Sequence, residues 1–320
     1  MIDANIVGNR LREFIEREKK LNTVLYLKLV FKPLNSLGLV HIASERGAAY
    51  TPVFRVGGEI YIPASSFIGA LRSAAESIAK VSLNAFGDIA DRIFAEAHCE
   101  PEEDIIRHIC SPRGDEYLSL VKNLVKVLTS NRDLYRHFLT DDAATEISNI
   151  MGGVDSLDKM PRELEPVLSA LCPICRLFGG PGLGSKISVL RVEPHIVSTH
   201  TVTHVSISRQ SSTAMPQRLY TREYAALDSL SIDITIKNVV RGGPELRILR
   251  AVLEYLNKVG ISIGGAKSIG VGKLFLDLEN SRGIYIDLNT INDKTKLLDA
   301  LINIENLAQK PLGELLKEFA

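Results

Sequence analysis

Two cysteines separated by two residues, in Cys172-Pro173-Ile174-Cys175, have the knuckle spacing that sets two thiolates on one metal ion. Cys99 and Cys110 are the other cysteines of the chain and would complete a four-thiolate zinc site, with His41, His98 and His108 as competing ligands. Four thiolates leave no open coordination position, so such a zinc would pin structure and do no chemistry. Reduced thiols packed in a core fit the same residues. A redox pair fits less well, because no thioredoxin-like strand precedes the motif.

Two further segments suit anions. In Ile62-Pro63-Ala64-Ser65-Ser66-Phe67-Ile68-Gly69-Ala70-Leu71-Arg72, Ser65 or Ser66 supplies the N-cap of a helix. Its unpaired N–H groups and serine hydroxyls would face a negative charge, with Arg72 one or two turns further on. An ordinary helix cap uses the same residues. In Gly264-Gly265-Ala266-Lys267-Ser268-Ile269-Gly270-Val271-Gly272, the glycines allow close backbone approach, and Lys267, Ser268 and Lys273 add polar groups suited to a sugar-phosphate chain. A plain glycine-rich turn is the alternative. A nucleotide-binding loop follows a strand and opens a helix, whereas this one follows a helix and opens a strand, so no nucleotide cofactor is expected.

The elements that must hold these residues follow from periodicity. Residues 6–19 and 67–78 carry helical apolar stripes, and Thr23–Phe31 is a strand rich in Val, Leu and Tyr. Leu39–Ile42 suits a short extension of the same sheet, and Ser44–Gly58 a long loop. Lys186–Val192 is a strand, followed by a polar excursion over His195–Arg222 that suits a hairpin. Leu230, Ile232, Ile234 and Ile236 alternate with polar residues, which marks a half-buried strand. Glu245–Leu256 is a helix opened by Pro244, Lys273–Leu278 a strand, Ile284–Leu288 an edge strand, and Asp293–Phe319 one or two terminal helices. Residues 84–171 contain helical segments at Tyr117–Leu128, Ala143–Ile150 and Pro161–Leu171 without strand alternation, and form an insertion.

Without insertions the order is strand, helix, strand, strand, helix, strand, which predicts an α+β, ferredoxin-like (RRM-like, split βαβ) core. The chain is then a single domain over 1–320. Its core spans 23–83 and 186–280, with a helical insertion at about 84–171, a hairpin or thumb at about 195–225 and C-terminal helices at about 290–320. The aromatic signature by which RRM sheets stack bases is absent. Lys plus Arg and Asp plus Glu are 38 each, so any contact with phosphates must come from local clustering and not from net charge. No apolar run approaches the ~20 residues that cross a bilayer, and no secretory signal opens the chain, so a cytoplasmic protein without membrane contact is expected.

The first, cysteine and glycine motifs, in that order, resemble the RAMP superfamily of CRISPR-associated proteins, specifically the repeated backbone subunit of type III effector complexes. The resemblance runs from about residue 23 to 280 and departs at Ala64, where the family usually has Gly, and at Ile68, where it has Lys. It implies a subunit that holds CRISPR RNA for pairing with target single-stranded RNA in antiviral defence. Other copies of itself or paralogous RAMP subunits would be its partners. RNA-binding candidates are Arg55, Ser65, Ser66, Arg72, Gly264, Gly265, Lys267, Ser268 and Lys273, with Arg209 and Arg218 on the thumb. His195, His200, His204 and Arg222 belong to the same polar stretch, and Met215 and Leu219 suit a wedge between bases. Many such subunits cut RNA with an aspartate two residues before a proline. Here Pro52 marks the place and Tyr50 fills it, which implies a non-catalytic subunit. The alternative is an endoribonuclease that uses His41 as general base, a role to which the imidazole is suited, or Glu45.

Overall fold

The protein was analysed as a computed structural model, which describes residues 4–33, 38–42, 50–81, 114–143, 145, 164–291 and 293–319. Glu45, His98, Cys99, His108 and Cys110 lie outside the described residues, as does most of the helix expected at Ala143–Ile150.

A large antiparallel sheet organises the molecule. Its first strand, β1 (Thr23–Pro33), pairs on one side with β7 (Ala214–Lys237), from Val24↔Lys237 to Phe31↔Leu230. On its other side it pairs with β10 (Arg282–Asp287) and, at its far end, with β9 (Lys273–Leu276). Strand β6 (Ile187–Ile207) lies along the opposite edge of β7. The order across the sheet is therefore β9/β10, β1, β7, β6.

Alternation decides the two faces. Leu25, Leu27, Leu29 and Phe31 of β1 and Leu230, Ile232, Ile234 and Ile236 of β7 enter the main core. Covering them are α2 (Ala64–Val81), α6 (Pro173–Phe178) and α7 (Pro244–Lys258). Helix α7 opens at Pro244, where the missing N–H costs no helical bond, and buries Leu246, Leu249, Val252, Leu253 and Leu256. Val24 and Tyr26 face the other way and pack with Ile286, Leu288 and Ile304. Ile304 comes from the C-terminal segment that contains α8 (Lys294–Ile302), β11 (Lys310–Pro311) and α9 (Leu312–Leu315).

A second, smaller core is helical. Helix α1 (Ala4–Glu18) sets Val7, Leu11 and Phe14 against α3 (Gly114–Ser130), α4 (Arg132–Tyr135) and α5 (Glu165–Leu171). The N-terminal helix thus packs with the insertion, which its position in the chain does not suggest.

Four expectations change. The strand foreseen at Lys186–Val192 does not stop there: β6 runs 21 residues and β7 24, because each satisfies the other's main-chain groups along a long two-stranded ribbon. Within the loop foreseen at Ser44–Gly58, the described part forms β3 (Tyr50–Thr51), β4 (Arg55–Val56) and β5 (Glu59–Ile60). Helix α2 begins at Ala64, after the fixed φ of Pro63, so Ser65 and Ser66 lie inside its first turn and not at its cap. The glycine loop follows a two-residue strand, β8 (Ile261–Ser262), and not α7 directly.

Candidate nucleic-acid interface

The glycine loop is built onto β2 (Gly38–Val40) and His41. Gly264 has a φ of +84°, and a Cβ there would come within 2.4 Å of the His41 carbonyl oxygen. At Gly272, with a φ of +81°, a Cβ would stand 2.0 Å from the Ile263 oxygen. No L side chain fits either position. The loop's donors turn inward: Gly265 N–H donates to His41 O (2.8 Å), Gly270 N–H to Lys267 O (3.1 Å) and Gly272 N–H to Leu39 O (2.7 Å). Outward, on a short 3-10 turn, the loop presents the exposed side chains of Lys267 and Ile269. The Ser268 side chain is outside the described residues. Lys273 is half-buried, its ammonium 5.7 Å from the Phe275 ring centroid.

Helix α2 lies near this loop through the strand that enters it. Phe54 N–H donates to Ile42 O (2.7 Å) and Tyr61 N–H to Phe54 O (2.9 Å), so residues 41–42, 53–54 and 61 form one backbone layer leading into the helix. Helix α2 also packs on β8, the strand that enters the glycine loop. Ser65 is exposed and Ser66 half-buried. Arg72 points inward: Nε donates to Glu76 (2.8 Å), Nη1 to Gly179 O (2.9 Å) and Nη2 to Cys175 Sγ (3.6 Å).

Arg55 is likewise engaged within the protein. It forms a two-pronged pair with the buried Glu223 of β7, Nη1 lying 2.7 Å from Oε2 and Nη2 against Oε1. Val53 N–H donates to the same carboxylate at 3.1 Å. The Arg55 hydrogen bonds, helped by Val53 and the Tyr50 hydroxyl, hold Glu223 below the usual carboxylate range. Glu223 therefore ties residues 50–55 to the ribbon, and β3 pairs parallel with Thr221–Arg222. Tyr50 itself is exposed.

His41 is only 3% exposed. Its Nδ1 lies 2.7 Å from Glu223 O. A carbonyl can only accept, so Nδ1 carries the proton. The ring packs 5.5 Å from that of Tyr224. Buried and clamped, His41 braces the glycine loop through its carbonyl.

The ribbon carries a different kind of feature. Tyr220, Arg222 and Tyr224 share one face of β7, and His204 stands opposite Tyr220. The His204 and Tyr220 rings stack at 5.1 Å and 17°, and the Arg222 guanidinium lies 4.8 Å from the Tyr220 centroid. His204 Nε2 is 2.8 Å from the Tyr224 hydroxyl, which fixes the imidazole in the stack. These parallel planes on a half-exposed surface are what an unstacked base extends. Beyond them Leu219 is 64% exposed, Met215 half-buried and Arg209 exposed in the connecting turn. The side chain of Arg218 lies outside the described residues, and His195 pairs with Asp228 at 3.3 Å. Sequence reading missed Tyr220, Tyr224 and Glu223; the spacing Tyr220, Arg222, Tyr224 was the available signal.

Cys172 and Cys175 are both buried at the start of α6. Among the described residues no three His, Cys, Asp or Glu side chains gather around a metal-sized position. Nor, among them, is any helix long and apolar enough to cross a membrane.

With this geometry in hand, the comparison with known families is direct. The sequence model of the RAMP superfamily matches residues 34–275, most of the chain, and the chain belongs to that superfamily. RAMP proteins are CRISPR-associated, bind CRISPR RNA and act in multisubunit complexes. No curated protein matches the sequence. Helix α1 and the C-terminal segment lie outside the matched range.

Proposed function

We propose that this chain is a backbone subunit of a type III effector complex. It holds CRISPR RNA as a scaffold and presents it to target single-stranded RNA in cytoplasmic antiviral defence, beside further copies of itself or paralogous RAMP subunits. The strand order β9/β10, β1, β7, β6 supports reading the core as ferredoxin-like. The observation that carries the proposal is the His204–Tyr220–Arg222 stack on a ribbon that reaches beyond the core, with Arg209 and Lys267 as exposed cations. Such a surface takes RNA by stacking and phosphate contact, with little preference for sequence.

The subunit is non-catalytic in this reading. Tyr50 occupies the position of the family's aspartate and serves Glu223, while His41 is buried. A structural zinc remains part of the proposal, with Cys172 and Cys175 as two thiolates and Cys99 and Cys110 as the other two. Elemental analysis tests it, and one zinc per chain is expected. Nuclease-treated protein should retain single-stranded RNA on a filter at low salt and leave it intact with or without EDTA. Failure to bind sinks the scaffold reading. Cleavage that His41→Ala abolishes sinks its non-catalytic part.

A further inference from the structure

The two edges of the ribbon are unequal. The edge of β7 that faces away from β6 is covered in turn by β1, β2 and β3. Strand β6 pairs, among the described residues, with β7 alone. A bare edge offers a row of main-chain donors and acceptors to any second strand, and soluble proteins blunt it with charges, prolines and bulges.

β6 has these devices only toward its ends. Arg191, Glu193 and Pro194 stand near its root, with register shifts at Val189/Arg191, His195/Ile196 and Ile196/Ser198. Another shift falls at Val205/Ile207, shortly before Arg209. Between them the pairing runs unbroken from Ser198↔Ala226 to Val205↔Leu219. That stretch, Ser-Thr-His-Thr-Val-Thr-His-Val, holds no Lys, Arg, Asp, Glu or Pro, and β-branched residues dominate it. Val202 and Val205 are 39% and 42% exposed. An uncharged, regular, β-rich edge flanked by charges is the pattern of a strand that pairs.

We propose that Ser198–Val205 is a docking edge at which a second copy of this chain lays its own Ser198–Val205, antiparallel, continuing the ribbon across a two-fold axis. The segment's composition selects this occupant. An incoming strand must be extended and must bring no charge to an edge that cannot answer one, and the segment meets that requirement itself. Antiparallel pairing about a two-fold axis at Thr201, which then faces its own copy, sets His200 opposite Val202 and His204 opposite Ser198, so no two histidines face each other. The contact is isologous and closes a dimer, unlike head-to-tail stacking along RNA. It uses the strand edge and not the face bearing the Tyr220 stack, and so does not depend on the RNA reading.

The test is sedimentation equilibrium of full-length protein, freed of nucleic acid by nuclease and high salt, over a concentration series. The wild type should dimerise. Thr199→Lys/Val205→Lys should raise the dissociation constant about tenfold or more, the equivalent of one or two lost main-chain hydrogen bonds. Thr199→Glu/Val205→Glu should do the same, and mixing the two variants should restore the dimer. Thermal unfolding of each variant confirms that it is folded. A monomeric wild type, a dimer that neither variant weakens, or variants that fail to recover on mixing overturns the proposal. Because no RNA is present, failure here leaves the RNA reading standing, and failure of filter binding leaves this pairing standing.

Discussion

The arginines at the root of the ribbon and those along it have opposite fates. At the root, Glu245 is fully buried (0% exposed), with Arg17 Nη1 at 3.0 Å, Arg176 Nε at 3.5 Å and Lys186 Nζ at 3.7 Å from one carboxylate oxygen. Lys186 reaches on to Glu18 (2.7 Å) and to Asn238 O (3.0 Å). This cluster joins α1, α6, α7 and the residue that leads into β6, and so fastens the helical core to the sheet. On the ribbon, Arg222 is braced by a ring and Arg209 stands in solvent. The difference teaches that a cation in a family motif can be architecture. Arg55 and Arg72, both candidates for RNA contact, are held by Glu223 and by Gly179, while the surface proposed for RNA is the stack beyond them.

Breaking the root should have the largest effect. Glu245→Ala removes the buried carboxylate that Arg17, Arg176 and Lys186 share, which should cost about 3–5 kcal/mol of unfolding free energy. A urea titration with unchanged m-value reads it. A loss below about 1 kcal/mol would place the cluster outside the fold's essential supports. Next comes the ribbon. Tyr220→Ala should weaken single-stranded RNA binding by about 1–3 kcal/mol, the range for one aromatic stacking contact. Its stability should stay within about 1 kcal/mol of wild type. Unchanged affinity would remove the stack from the interface.

Arg72→Ala sharpens the contrast from the other side. Losing its bond to the Gly179 carbonyl should cost roughly 1–2 kcal/mol of stability, while the RNA affinity of the folded protein stays within about twofold. An affinity loss without a stability loss would return Arg72 to the interface. The smallest effect concerns acid. Burial alone would raise the Glu245 carboxyl, but Arg176, Arg17 and Lys186 outweigh it and hold it low; Glu223 is held low chiefly by Arg55. A carboxyl whose folded pKa lies below its unfolded value of about 4.3 stabilises fully above that pH and loses the contribution as pH falls through the folded value. Stability should therefore decline below about pH 4.3, less steeply in Glu223→Gln, as urea midpoints from pH 7 to 3 will show.

How much of this was legible in the sequence depends on whether the partners are local. Leu230, Ile232, Ile234 and Ile236 announce the inner part of β7 because one face is buried, and Pro244 marks the start of α7. The outer ribbon carries no such alternation. Both faces of residues 195–205 are largely solvated, so Ser, Thr and His fill them and the strand resembles a loop until its partner is seen. At the site, the glycine loop was legible as a place of close approach, and at Gly264 the approaching group is the His41 carbonyl. The direction of Arg72 and Arg55 was not legible, since their partners stand 107 and 168 residues away. Nor does spacing alone suggest that α1 packs with the insertion, as Leu11 and Leu124 join one core only after the chain has folded.

The most direct measurement is the salt dependence of single-stranded RNA affinity for the wild type and for Arg222→Ala/Lys267→Ala. Each phosphate contact on a single strand contributes about −0.7 to the slope of log affinity against log salt. If the ribbon and the glycine loop grip one RNA chain, the double variant should flatten that slope by about 1–2. A slope equal to that of the wild type would contradict the account.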